Sequence, residues 1–174
     1  MAHDETVDDT SSRGKSGRKA APLELEKFLP HRLDIVASLS SHALSRIYAT
    51  RYGIGVPEWR VLVTLGQYGA MTAKAVGDRS RMHKTKVSRA VAQLEKRRLV
   101  ARRVNDADLR ESILSLTPAG AAVYDELKPA ALEFARRLTE VIDPADRAAF
   151  ERALDALTAR SAELSAERAK PRRA

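Results

Sequence analysis

Positions 83 to 110 read HKTKVSRAVAQLEKRRLVARRVNDADLR, and the start of this stretch restricts the fold more than any other part of the chain. Val87, Ala90, Val91 and Leu94 recur at steps of three and four, so on an α-helix they share one face. Lys84, Thr85, Lys86, Ser88, Arg89 and Gln93 then fall on the flanks and the opposite face. Such a helix needs a protein core behind it and an anionic surface in front. Charge points the same way: residues 79–110 hold 11 Lys and Arg against 3 Asp and Glu, and the rest of the chain holds 20 of each, so the net charge of +8 resides in this segment. Localised cations of this kind are the electrostatic footprint of a polyanion-binding face.

What flanks the helix gives it a context. Thr72 is a plausible N-cap for a short helix over about residues 73–79, and SRMHK makes a tight link to the basic helix, opened by Met82 or His83. Downstream, LVARRV and SILSLT are short, branched and alternating, and they flank the polar turn NDADLRE, which predicts a two-stranded hairpin. Two strands alone are marginal in water and should lean on the preceding helices. Helix, tight turn, basic helix and hairpin make a winged helix-turn-helix, in which a helix enters the major groove and flanking cations offset phosphates.

Longer helices surround this unit. Leu33, Val36, Ser40, Leu44, Ile47 and Tyr48 line one face of a helix over about residues 30–51, and YGIGVP breaks it before Pro57 opens a second helix whose end Gly66 and Gly69 bracket. Thr117 and Pro118 start a long helix with the stripe Val123, Tyr124, Leu127, Ala131, Phe134, Leu138 and Val141, which Pro129 should kink. Asp143 and Pro144 start the last helix, where Phe150, Leu154, Leu157, Ser161 and Leu164 face one way and Asp146 sits well at the positive end. These stripes exceed what a small winged domain can cover, so burial against a second copy is expected. The fold class is therefore mainly α with a small β-hairpin wing, plus a helical dimerisation region built from both ends of the chain.

Composition removes several classes of function. With no cysteine there is no disulfide, thiol sensor or Cys-type zinc site. His3, His31, His42 and His83 are scattered without metal-site spacing, and HKTK lacks the glycines of a phosphate loop, so neither an enzyme nor a cofactor is expected. The first 20 or so residues carry little to bury and read as a solvated arm that can also touch DNA, and AERAKPRRA reads as a basic tail. No apolar leader or span is evident, so a cytoplasmic protein without membrane association is expected.

The segment VSRAVAQLEKRRLVARRVNDADLRESILSLTPAG resembles the MarR family of transcription regulators. The resemblance rests on the helix end V-x-R-x-V-x-x-L-E-K-R-x-L-V, the pair Asp108-x-Arg110 and L-x-L-T-P-x-G, and it extends over about residues 23–165. It implies a homodimer with an arm at 1–22, an N-terminal dimerisation helix in 23–56, a DNA-binding domain at 57–116, C-terminal dimerisation helices in 117–165 and a tail at 166–174. By position, Lys84, Thr85, Lys86, Ser88 and Arg89 match base readers and phosphate contacts. Arg102 and Arg103 flank the strand, and Arg110 matches the wing residue at the minor groove, with Asp108 orienting it or simply paired to it. A dimer would set two such helices about one turn apart, roughly 34 Å, on a pseudo-palindromic operator. Arg98 departs from the family pattern, which often has Gly there; a left-handed residue other than Gly costs about 1 kcal/mol, so a different cap is expected at this helix end.

The family resemblance also implies a repressor released by a small aromatic effector held between the dimerisation helices and the DNA-binding lobe. Ser38, His42, Arg46, Tyr48, Trp59, Arg60 and Tyr68 are the candidate lining residues, with Trp59 equally readable as core. FLPHRLDIVAS, GVPEWRVLVTLGQYG and HKTKVSRAV are similar to regulators of the CouR kind, which control hydroxycinnamate catabolism and answer to an aryl-CoA thioester such as p-coumaroyl-CoA. For such a ligand, Arg32, Arg46, Arg51 and Arg60 could meet the phosphates. Free phenolic or aromatic carboxylic acids are the alternative effectors, and a ligand-independent architectural DNA-binding protein is the alternative from another class.

Overall fold

The computed structural model describes residues 22–104 and 111–169. The chain divides into two units, residues 1–36 and 37–174. In the first, Lys27 and Phe28 donate back to Glu24 and Leu25 in a turn, and helix α1, Leu29–Tyr52, begins. The second unit carries the rest of α1, then α2 (Val56–Tyr68), β1 (Met71–Thr72), α3 (Ala73–Ser80), α4 (Lys84–Lys96), β2 (Val100–Val104), β3 (Ser112–Leu116), α5 (Pro118–Thr139) and α6 (Pro144–Ala169).

Element starts follow the local chemistry predicted from the sequence. Thr72 Oγ1 accepts from Ala75 N–H at 3.2 Å, and Thr117 Oγ1 accepts from Gly120 N–H at 3.0 Å. Asp143 Oδ1 accepts from Ala145 N–H at 2.8 Å ahead of α6. At α2 the Glu58 carboxylate accepts from Gly55 N–H at 3.0 Å, supplying one arm of a capping box. Gly66, in the last turn of α2, and Gly69, just past it at φ 79°, bracket its end as the sequence predicts. Pro129 lies within α5, which runs through it unbroken, while Val141 lies beyond the helix and is 89% exposed.

The wing has three strands rather than two, in the order β1-β3-β2, all antiparallel. Met71 pairs with Leu114 and Thr72 with Ile113, giving β3 a second neighbour beside the hairpin register Val100 to Leu116 through Val104 to Ser112. A two-residue strand carries no alternation to detect. Residues 105–110 of the predicted turn, including Asp108 and Arg110, lie outside the described residues, as do most of the arm and the end of the tail.

The core gathers Tyr48 and Ile54, the inner faces of α2, α3 and α4, Leu114 of the sheet, and Val123 and Leu127 of α5. Tyr48 stacks on Trp59 with ring centroids 5.1 Å apart, and burial raises the Tyr48 phenol above its ordinary pKa. Beyond Leu127, α5 leaves the core: Leu132 and Leu138 are exposed, and so are Phe150, Leu154, Leu157 and Leu164 of α6.

Arg98 does adopt the left-handed conformation, φ 58°, contrary to the alternative cap expected from the sequence. Leu99 N–H donates to Leu94 O and Arg98 N–H to Glu95 O, both at 2.9 Å, which is a Schellman closure with the buried Leu99 folded back on Leu94. Thr117 Oγ1 donates to the Arg98 carbonyl at 2.7 Å, so the start of α5 holds the strained residue in place. Arg98→Gly should therefore raise stability by about 0.5–1 kcal/mol in urea unfolding, because it relieves the steric cost of the left-handed residue and keeps every backbone bond. A loss of stability would show that the Arg98 side chain contributes more than its backbone costs.

Candidate nucleic-acid interface

The exposed front of α4 is built by three constraints. His83 is its N-cap, with Nδ1 accepting from Thr85 N–H at 3.4 Å and the carbonyl accepting from Lys86 and Val87. Behind it Val87, Ala90, Val91 and Leu94 are each no more than 1% exposed, so the helix cannot rotate about its axis without uncovering core. Ahead of it α3 ends at Arg81, φ 53°, and Met82 N–H closes onto Gly77 O at 3.0 Å with the Met82 side chain buried. Gly77 permits this tight link, since a Cβ there would lie 3.1 Å from Met82 O. Lys84, Thr85, Lys86, Ser88 and Arg89 are left exposed over the first two turns, as predicted.

The wing supplies further cations. Arg102 on β2 grips Glu95 of α4 through Nε at 2.9 Å and Nη2 at 3.2 Å, a bidentate pair that raises the guanidinium pKa through the Glu95 hydrogen bond. That fork braces β2 against α4. Arg103 is exposed on the same strand. Under the brace, a groove of about 490 Å³ runs between α3, α4 and the strands, with Lys74, Asp78, Lys84, Ser88, Arg102 and Glu111 in its lining.

Tyr48 and Trp59 of the residues predicted to hold an effector stack together, but the set does not line one groove. Tyr48 is buried in the core, and Tyr68 lies under Arg79, whose Cζ is 4.1 Å from the ring centroid. Ser38, His42, Arg46 and Arg60 are exposed. Trp59 alone of this set lines an open groove of about 670 Å³ between α2 and α5, shared with Val63, Gly66, Tyr124, Lys128 and Leu132. The Tyr124 ring lies over Gly66, where a Cβ would sit 2.7 Å from the ring, and Lys128 Nζ is 6.0 Å from the ring centroid. Tyr124 was legible only as part of a stripe; Lys128, one helical turn further on, is the signal that could have marked a mixed aromatic and cationic face.

Among the described residues no three His, Asp or Glu are grouped to hold a metal, and no helix is long and apolar enough to cross a membrane.

Residues 52–111 match the MarR family model, the same stretch that holds α2, α3, α4 and most of the wing. The uncharacterized HTH-type transcriptional regulator YwoH of Bacillus subtilis is 29% identical over 99 residues, 57% of this chain and 72% of that protein. A MarR family regulator from Silicibacter pomeroyi superposes with a TM-score of 0.67 at 29% identity, covering 79% of this chain and 92% of the other. Sco3205, a MarR family regulator from Streptomyces coelicolor solved in complex with DNA, shares the fold with a TM-score of 0.70 at 21% identity, over 82% and 91% of the two chains. With the three-stranded wing and the exposed basic helix, these matches make the chain similar, across its winged helix-turn-helix, to DNA-binding transcription regulators of the MarR family.

Proposed function

We propose that the chain is a dimeric repressor that lays the front of α4 in the major groove of a pseudo-palindromic operator. The observation that carries this reading is the exposure of Lys84, Thr85, Lys86, Ser88 and Arg89 on a helix whose other face is locked into the core. Arg103 approaches the backbone from the wing; Arg110, which the family resemblance matches to a minor-groove contact, joins it with Asp108 as its orienting partner; Arg102 contributes once its hold on Glu95 is shared. The exposed apolar residues of α6, Phe150, Leu154, Leu157 and Leu164, support burial against a second copy. In this reading residues 23–56 and 117–165 serve dimerisation and 57–116 serve DNA.

Control is proposed to come from an aromatic, anionic effector in the groove between α2 and α5. Trp59 and Tyr124 offer ring surfaces and Lys128 a cation. An aryl-CoA thioester such as p-coumaroyl-CoA is the first choice, with Arg46 and Arg60 exposed to meet its phosphates. A free phenolic or aromatic carboxylic acid is the second reading, favoured by Lys128 being the one cation in this groove's lining, enough for a single carboxylate.

A duplex selected from random sequence by the wild-type chain should be pseudo-palindromic and bound by two copies. Titrating that complex with p-coumaroyl-CoA should weaken it about 5–150-fold, with free p-coumarate and CoA inert. Release by the free acid alone selects the second reading, and indifference to all three leaves a ligand-independent DNA binder.

A further inference from the structure

Away from the α4 front, a set of polar contacts converges on the end of α1. The helix closes at Tyr52, and Gly53 follows at φ 55° with its N–H donating to Ala49 O at 2.8 Å. Carbonyl oxygens at such an end carry the partial negative charge of the helix dipole and lack intrahelical donors. Arg97, the residue directly after α4, supplies a donor to the last of them and another to the carbonyl that follows. Its Nη1 donates to Gly53 O at 3.1 Å, and its Nη2 donates to the Tyr52 carbonyl. On the side-chain side of the same turn, the Tyr52 hydroxyl donates to the Glu126 carboxylate of α5, and Arg51 pairs with that carboxylate as well. The last turn of α1 is thus held by α5 through side chains and by the end of α4 through backbone oxygens.

Arg97 belongs to the cationic segment, and its charge alone would class it with the phosphate contacts. Its geometry says otherwise, because the guanidinium is turned onto protein carbonyls at the end of α4 remote from the basic front. Lys84 lies roughly 20 Å away along the helix axis. Over that lever a tilt of about 10° moves the front by about 3 Å, more than any base-edge hydrogen bond tolerates.

We propose that Arg97 is a positioning residue for DNA binding: it pins the carboxyl end of α4 to that of α1, and the Tyr52–Glu126 contact carries the placement of α5 into that pin. The inference rests on α4 being the DNA-reading helix. It adds a route by which a change at α5 reaches α4 without touching the front. A lysine cannot replace the pin, since a single ammonium lacks the two-pronged geometry that spans both carbonyls.

The test uses the full-length chain and the duplex that the wild type selects from random sequence. Arg97→Ala should weaken binding about tenfold while the slope of log affinity against log salt stays unchanged, whereas loss of a phosphate contact would reduce that slope by about one. Arg97→Lys, which keeps the charge and decides the matter if the alanine variant folds poorly, should lose about threefold or more. Tyr52→Phe should lose about threefold in the wild-type background and nothing further beside Arg97→Lys or Arg97→Ala, because both act through one junction. A slope reduced by one, wild-type affinity in both Arg97 variants, or additive losses with Tyr52→Phe overturns the proposal while the DNA-binding reading stands. Failure of the wild type to select any duplex overturns that reading and this one together.

Discussion

Gly120→Ala should destabilise the protein by about 4 kcal/mol, at the exceptional end of single substitutions. A Cβ built at Gly120 would lie 1.9 Å from Leu99 O and 2.9 Å from Leu99 C, both backbone atoms that cannot rotate aside. To make room, the first turn of α5 would have to separate from the chain leaving α4. Two bonds hold that junction: Thr117 N–H donates to Leu99 O at 3.1 Å, and Thr117 Oγ1 donates to Arg98 O at 2.7 Å. The clash therefore strikes the α5 N-cap, the Schellman closure of α4 and the root of β2 at once. Urea unfolding followed by far-UV circular dichroism measures the loss, and a change under about 1 kcal/mol would mean that the helix shifts freely at this contact.

Gly120 also shows how the sequence carries information of two kinds. It was legible as the last letter of L-x-L-T-P-x-G, but the pattern does not contain its reason, the approach of a helix backbone to the Leu99 carbonyl. Periodicity worked where one helix face meets one core. The four positions that mark the back of α4 are all buried, and the caps at Thr72, Thr117 and Asp143 act as their side chains suggest. Both rest on interactions within a few residues of sequence.

What was missed depends on distant partners. β1 exists because β3 offers Met71 and Thr72 a second edge, and two residues leave no period of their own. Arg98 accepts a left-handed backbone because Thr117 and Leu99 tie down both sides of it, an example of tertiary context overriding a local cost of about 1 kcal/mol. Arg97 and Arg102 look alike in a string of cations, yet one caps α1 and the other braces the wing on Glu95. For the groove between α2 and α5, spacing alone could not tell that Tyr48 and Trp59 stack as core, or that Tyr124 would lie across Gly66 from another helix.

The second large effect concerns the front of α4. Lys86 and Arg89 are exposed, and alanine suits a helix surface, so replacing both should leave the folded state intact. Each contact to a base edge is worth about 1–3 kcal/mol, and each neutralised phosphate contributes about 0.9 to the salt slope. The double variant Lys86→Ala, Arg89→Ala should therefore bind the selected duplex at least about 100-fold more weakly at moderate salt, with a salt slope shallower by about one to two where the lost contacts are to phosphate.

Affinity of this double variant for the selected duplex, measured beside the wild type across a salt series, tests most directly whether α4 reads DNA. The account predicts an unchanged unfolding midpoint together with that loss. Retention within about threefold of the wild type at moderate salt would contradict it, because an exposed helix front that can lose both cations without consequence is not seated in DNA.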